Sequence, residues 1–160
     1  MSTPSTPTPT SAVLYSERLR PSILIWVLVA CLSAASTLIF IPISVEAGFI
    51  GAAVAAVIMV TLLLISTPVI RVTPQTLQVG RAEIERRYVG NVEVYRGDDA
   101  TQQRGPGLNA TAYLCIRGWI SPVVRIEITD PADRTPYWLT SSRHPEKLAE
   151  ALRHDRPESA

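Results

Sequence analysis

The longest pattern in the chain is a pair of uninterrupted apolar runs near its beginning. Residues 22–41 and residues 47–65 contain twenty and nineteen residues, and neither run contains a charged side chain. At 1.5 Å per residue such runs form helices of roughly 28–30 Å, about the thickness of the hydrocarbon core of a bilayer. Only residues 42–46 separate them, so the two helices must be antiparallel neighbours. The pattern predicts a transmembrane hairpin.

Beyond residue 66, apolar and polar positions alternate, which is typical of half-buried β-strands. The clearest case is residues 123–129, where Val124, Ile126 and Ile128 share one face. Residues 98–109, with a Gly-Pro-Gly at their centre, are predicted to form a polar loop. About six short strands joined by turns are expected in this half of the chain.

A last helix and two polar tails complete the predicted organisation. Residues 145–153 begin with a proline in the first helical turn and place Leu148 and Leu152 on one apolar face. The predicted segments are a disordered tail (1–14), a two-helix transmembrane hairpin (15–66), a β-rich domain (67–154) and a short tail (155–160). The expected fold is therefore a membrane helical hairpin followed by a small all-β domain, a barrel or a sheet, capped by one C-terminal helix.

The charges that flank the hairpin predict its orientation. The connecting loop has no Lys or Arg, whereas arginines precede the first run and follow the second: Arg18, Arg20, Arg71, Arg81, Arg86 and Arg87. Because positive flanks stay on the cytoplasmic side, both termini are expected in the cytoplasm and the protein in the plasma membrane. A secretory signal peptide is the competing interpretation, but its apolar region is shorter, about 7–15 residues, and no second span would follow it.

Composition excludes several classes of function. Residues 66–160 carry thirteen Lys and Arg against twelve Asp and Glu, a net charge of +1, and nucleic-acid binding is therefore not expected. The two cysteines, Cys31 and Cys115, fall in different predicted segments and no Cys/His cluster exists, so neither a disulfide nor a metal site is expected. No cofactor-binding motif is present, and we expect no cofactor.

No catalytic constellation stands out in the sequence. Asp130 and Asp133 lie among turn-forming residues, where Asp bonds locally to the backbone, and His144 lies at the predicted start of the last helix. An enzyme that uses Asp130, Asp133 or His144 is the disfavoured alternative, because acid–base chemistry needs convergent partners. We therefore expect a protein that is not an enzyme.

Arginines that alternate with aromatic residues are the sharpest candidates for a functional surface. Tyr and Trp are amphipathic and Arg binds phosphate and carboxylate bidentately, so such residues suit contact with lipid headgroups or a protein partner. The candidate residues are Arg86, Arg87, Arg117, Trp119, Arg134, Tyr137 and Arg143. The expected partners are membrane lipid and, alternatively, a protein or a second copy of the chain. For Trp119 and Trp138, a place in the domain core is the alternative, and the sequence leaves it open.

Small residues recur at helical spacing in both apolar runs. Gly48, Ala52 and Ala56 share one face of the second run, and Ala30 and Ala34 share a face of the first. Small residues let helix backbones approach closely in lipid, so these positions are expected to pack within the hairpin. The alternative is that they bind another protein, which would make the chain an accessory subunit of a transport or cell-envelope complex.

Four patches of sequence carry a resemblance to a known family. They are YSERLRP, VTPQTLQVGRAEI, CIRGWISPVVRIEITDP and TPYWLTSSRHPEKLAEAL, in that order along the chain. Together they resemble an actinobacterial family of small two-span membrane proteins known only as a domain of unknown function. The order of strands and final helix also resembles the bacterial pleckstrin-homology-like domain. The resemblance implies the architecture and assigns no activity.

Overall fold

A computed structural model describes residues 12–153 of the chain, so the tail predicted over residues 155–160 and most of the tail predicted over residues 1–14 lie outside the described residues. The described elements, in chain order, are β1 (Tyr15–Arg18), α1 (Ile23–Phe40), α2 (Val45–Ile65), β2 (Val69–Val72), β3 (Thr76–Val79), β4 (Ala82–Glu85), a 3-10 helix (Arg86–Tyr88), β5 (Val89–Tyr95), α3 (Gly97–Arg104), β6 (Tyr113–Cys115), β7 (Val123–Ile128), β8 (Tyr137–Ser141) and α4 (Pro145–Arg153). They fall into two compact units. One, Arg20–Pro68, contains α1 and α2, and the other contains the remaining elements.

In the helical unit, α1 and α2 pack on each other through small residues. A Cβ added at Gly48 would lie 3.1 Å from Thr37 Cγ2 and 3.3 Å from the Thr37 carbonyl oxygen, so the glycine permits this close approach. Gly51 likewise permits close approach, because a Cβ added there would meet the ring of Phe40. The side chain of Ser44 caps α2 by accepting a hydrogen bond from the backbone N–H of Ala47 (3.0 Å).

The two predicted apolar helices are confirmed, and each is long and apolar enough to cross a membrane. The only buried residues within them are Ser33 and Gly48. Ser33 satisfies its hydroxyl by donating to the carbonyl of Val29 (2.8 Å). Many of the large apolar side chains of both helices are exposed, for example Ile23, which is 83% exposed.

The first sheet begins with a strand that the sequence pattern did not reveal. Its strand order is β1-β2-β3-β4, all antiparallel. Tyr15–Arg18 was predicted to belong to the hairpin segment, but it pairs with β2, with Arg18 opposite Val69. Leu19, directly after β1, is completely buried in the core of this unit. The charged residues near Leu19 are typical of the flank of a membrane span. They therefore obscure the alternation of apolar and polar residues in this short strand.

The second sheet has the order β5-β7-β8-β6, in which β6 runs parallel to β8 and the other pairs are antiparallel. Both sheets and α4 contribute to one hydrophobic core, for example through Leu77, Ile126 and Leu148. The described strands form two separate sheets and no closed barrel, so the barrel alternative was wrong. The 3-10 helix Arg86–Tyr88 ends the first sheet, and β5 pairs with β7 rather than with β4.

A helix, α3, occupies much of the segment predicted as a polar loop. Asp98 and Asp99 lie in its first turn, where acidic side chains interact favourably with the helix dipole. Ala100 is completely buried and packs with Tyr137 and Leu139 in a second, smaller core on the other face of β8. The domain is therefore not all-β, whereas the C-terminal helix, α4, is confirmed as predicted.

Candidate functional site

Several arginines lie at one end of the sheet domain, where β1 ends and β2 begins. This end is called the junction end. The pairing of Arg18 with Val69 places the end of β1 beside the start of β2. The backbone N–H of Gly80 donates to the carbonyl of Val69 (2.8 Å), which brings the β3–β4 turn to the same end. Gly80 adopts a left-handed conformation (φ 63°) in this turn, and Arg81 follows it as an exposed residue.

The carboxylate of Glu17 ties β1 to the segment that follows β8. One oxygen accepts a hydrogen bond from the backbone N–H of Arg143 (2.7 Å), and the other accepts from the hydroxyl groups of Ser142 and Tyr15 (both 2.6 Å). Ser142 is completely buried, and its hydroxyl oxygen accepts from the backbone N–H of His144 (3.1 Å) at the start of α4. Arg143 therefore lies at the junction end, on the exposed side of this network.

Tyr15 is held in its neutral form. Burial, and secondly the hydrogen bond to Glu17, raise the pKa of the Tyr15 hydroxyl well above its usual value. The phenol therefore keeps its proton and continues to donate to the carboxylate.

The loop between β6 and β7 adds Arg117 and Trp119 to the junction end. The backbone N–H of Arg117 donates to the hydroxyl oxygen of Ser141 (3.0 Å), next to Ser142. Trp119 is half-buried and packs against the main core, and its Nε1 is buried without a hydrogen-bond partner among the described residues. Trp138 is a core residue, 4% exposed, whose ring lies 5.2 Å from that of Tyr113.

Two other candidates, Arg87 and Arg134, lie at the far end of the domain. Thr129, just after β7, donates through its backbone N–H to the carbonyl of Tyr88 (2.8 Å), so the β7–β8 turn with Arg134 adjoins the 3-10 helix. Arg87 forms an exposed ion pair with Glu85 (2.9 Å) and lies over the ring of Tyr88. The six residues of β7 separate these positions from the junction end by roughly 20 Å at about 3.3 Å per residue.

The remaining two candidates are buried, which corrects their predicted place on a surface. Arg86 is 4% exposed, and its guanidinium donates to the carbonyl oxygens of Thr73, Ala151 and Leu152. Tyr137 is 3% exposed, and its hydroxyl oxygen accepts a hydrogen bond from the backbone N–H of Asn109 (2.8 Å). The structure thus brings together Arg117, Trp119 and Arg143, and adds Arg18 and Arg81, which sequence reasoning used only to orient the hairpin.

The carboxylates weighed for catalysis have local structural partners. Asp130 accepts a hydrogen bond from the backbone N–H of Ala132, and Asp133 accepts one from that of Thr135 (both 2.9 Å). The latter bond lowers the pKa of Asp133. Within residues 12–153, no three or more His, Cys, Asp or Glu side chains are grouped so that they could hold a metal ion.

An open groove of about 540 Å³ runs between β5 and α4. It is lined by Val94, Ala149 and three charged residues, Glu146, Glu150 and Arg153. At its rim Arg96 binds Glu146 through two hydrogen bonds of 2.8 and 2.7 Å, which lower the pKa of this carboxyl group. The mixed charges of this lining favour no single class of ligand.

Comparison with known proteins gives one match. Residues 14–152 match the sequence profile of a protein family described as "Protein of unknown function (DUF3093)", which spans both structural units. No curated protein and no solved structure matches the chain. Since the match covers nearly the whole chain, including β1, both apolar helices, both sheets and α4, the chain belongs to the DUF3093 family of proteins of unknown function.

Proposed function

We propose that the chain is a two-span plasma-membrane protein that holds a small, non-enzymatic binding module at the cytoplasmic face. The observation that carries this proposal is the exposure of large apolar side chains over much of the surface of α1 and α2. Leu24, Leu38, Phe49 and Val57 are each at least 66% exposed, for example. A core helix of a water-soluble protein would bury such residues, since each is worth about 1.5–3 kcal/mol when fully removed from water.

The charge pattern supports the cytoplasmic placement of the sheet domain. Residues 41–44, between α1 and α2, carry no charge, whereas Arg18 and Arg20 precede α1 and Arg71 follows α2. Because the positive-inside rule retains such flanks, both ends of the chain are proposed to lie in the cytoplasm.

The shape of the domain supports a binding module. Two sheets that face each other across one core, with a helix following the last strand, correspond in outline to the pleckstrin-homology-like arrangement that we propose for it. The carboxylates considered for catalysis are engaged in turns, and the groove beside α4 is open and carries both signs of charge. The module is therefore proposed to bind lipid headgroups or a protein through its surface.

The alternative, an accessory subunit that acts through its hairpin, has less support. Gly48 and Gly51 contact Thr37 and Phe40 of the neighbouring helix, so the small residues that would form a docking face are used within the hairpin.

Membrane insertion and orientation can be tested in one experiment. With Cys31 and Cys115 replaced by Ala, single cysteines are introduced as Ile43→Cys between the helices and Ser121→Cys in the sheet domain; both positions are exposed. In intact cells a membrane-impermeant maleimide is expected to label the first variant, and to label the second only after lysis. Extraction of the chain by alkaline carbonate, or labelling of both positions before lysis, would contradict the proposal.

A further inference from the structure

The edge of β5 beside α4 presents backbone groups that no other described strand pairs with. In the described sheet order β5-β7-β8-β6, β5 is the outermost strand, so only one of its edges pairs with β7. A guanidinium nitrogen of Arg153, on α4, donates to the carbonyl oxygen of Val92 (2.5 Å), and this carbonyl therefore faces away from β7. Residues of an antiparallel strand alternate between bonding to the partner strand and facing away from it. The backbone N–H and C=O of Val94, two residues later, therefore also face away from β7.

Two depressions follow this edge of the strand. The groove of about 540 Å³ has Val94 in its lining, and a second depression of about 170 Å³ is lined by residues of β5 and the end of α4. The residues of the second depression are Gly90, Asn91, Val92, Leu152 and Arg153. Arg153 lines both depressions, so they adjoin. Together they form one elongated surface that runs along β5, which is the shape that an extended chain requires.

Although the whole lining carries both signs of charge, one acidic side chain is left for a ligand. Glu146 is bound by Arg96 through two hydrogen bonds, and Arg153 donates to Val92. The side chain of Glu150 is exposed and forms no hydrogen bond or ion pair with the described residues. Ala149 precedes it and is 2% exposed, so the surface beside Glu150 is small and apolar. A ligand that fits carries a positive charge next to a small apolar group.

We propose that the groove between β5 and α4 binds an extended segment of a partner protein, which adds as a further strand along β5 and places a Lys or Arg beside Glu150. This inference rests on the proposed binding function of the module and names a protein segment as its ligand. An extended peptide carries its own N–H and C=O groups at the spacing of a strand edge, and strand addition is a recurring mode of peptide recognition. The first residues of the chain itself suit this edge poorly, because Pro4, Pro7 and Pro9 have no N–H to donate.

The test selects peptides from a phage-displayed library of random heptapeptides on the full chain in mild-detergent micelles. The selected peptides should be rich in Lys or Arg. Val94→Pro removes the N–H that faces the groove and no bond to β7, and should weaken their binding about fivefold, the equivalent of one hydrogen bond; Val94→Ala keeps this N–H and should weaken it less than about twofold. Glu150→Lys reverses the exposed charge and should also weaken binding about fivefold. Glu83→Lys alters an equally exposed carboxylate on the first sheet and should change it less than about twofold.

A second measurement does not depend on the folding of a variant. The tightest selected peptide is N-methylated at one residue at a time, and binding should fall at alternate residues, because only every second N–H of an added strand faces β5. An effect without this alternation overturns strand addition. The absence of any enriched peptide, or equal binding to the unmodified chain and to Glu150→Lys, overturns the peptide site.

The outcomes also separate this inference from the proposed membrane function. Maleimide labelling of Ile43→Cys and Ser121→Cys reports the placement of the chain in the membrane and does not involve the groove. A chain that labels as expected but selects no peptide refutes only the peptide site. A chain that labels at both positions before lysis refutes the membrane placement, whereas the peptide measurements then still decide whether the groove binds a strand.

Discussion

Replacing Arg86 by Met should destabilise the sheet domain strongly. Arg86 is 4% exposed, and its guanidinium donates to the carbonyl oxygens of Ala151 (3.2 Å) and Leu152 (2.9 Å) in the last turn of α4 and to that of Thr73 (3.1 Å). A helix ends in carbonyl groups that lack partners within the helix, and the dipole there favours a cation. Arg86 therefore joins the β2–β3 turn to α4 by satisfying groups that water cannot easily reach.

The magnitude follows from these contacts. A hydrogen bond to a charged group contributes about 1.5–3 kcal/mol, and a buried carbonyl left without a partner costs about 1–3 kcal/mol. The three bonds are not additive, because the end of α4 can relax toward solvent. We expect a loss of about 3–4 kcal/mol in the free energy of unfolding, a large part of the 5–15 kcal/mol that is typical of a domain.

The neighbouring Arg87 provides a matched control. It has the same side chain, but it is exposed and forms a surface ion pair with Glu85, so Arg87→Met should cost less than about 1 kcal/mol. Urea unfolding of the full chain in mild detergent, followed by tryptophan fluorescence in a Trp26→Phe background, reports on the two tryptophans of the sheet domain, Trp119 and Trp138. If Arg86→Met costs no more than Arg87→Met, the buried arginine does not hold α4 in place.

Two further changes test the hairpin and the Glu17 network. Gly48→Val should loosen the helix pair, because the valine side chain would meet the backbone carbonyl of Thr37. Ala53→Val, on an exposed face of the same helix, should not loosen it. Thermal unfolding of the helices in detergent measures the loss of stability in each variant, and equal losses would contradict the packing at Gly48. Tyr15 has a folded-state pKa raised above its unfolded value, so its neutral form contributes stability that is complete below about pH 10 and declines as the pH rises above that value. Tyr15→Phe should therefore remove part of the alkaline loss of stability in pH-dependent urea unfolding, and an unchanged profile would show that its bond to Glu17 carries no such linkage.

Local patterns in the sequence were enough to predict some of the fold. The two apolar runs, the alternation in residues 123–129 and the proline before Leu148 each specify an element without help from distant residues. These predictions agree with α1, α2, β7 and α4 to within about two residues at most ends, which is the usual uncertainty of element boundaries.

Features that depend on distant partners could not be predicted. β1 has four residues and becomes a strand only because it pairs with β2, about fifty residues later. The parallel pairing of β6 with β8 is likewise a property of the folded domain. For the candidate site, nothing in the sequence distinguishes Arg86, which is buried under α4, from Arg87, which is exposed.

The position of β1 changes what the hairpin does for the domain. Because the first strand precedes α1 and the second follows α2, the helices are an insertion between two paired strands rather than an anchor attached to a finished domain. A flexible connection of that length would add several kcal/mol of closure entropy to the pairing of Arg18 with Val69. Two antiparallel helices packed about 8–10 Å apart already bring both connections to the same side, within a few ångströms of the roughly 4.8 Å that separates neighbouring strands. Packing of the two helices at Gly48 and the formation of the first sheet therefore favour each other.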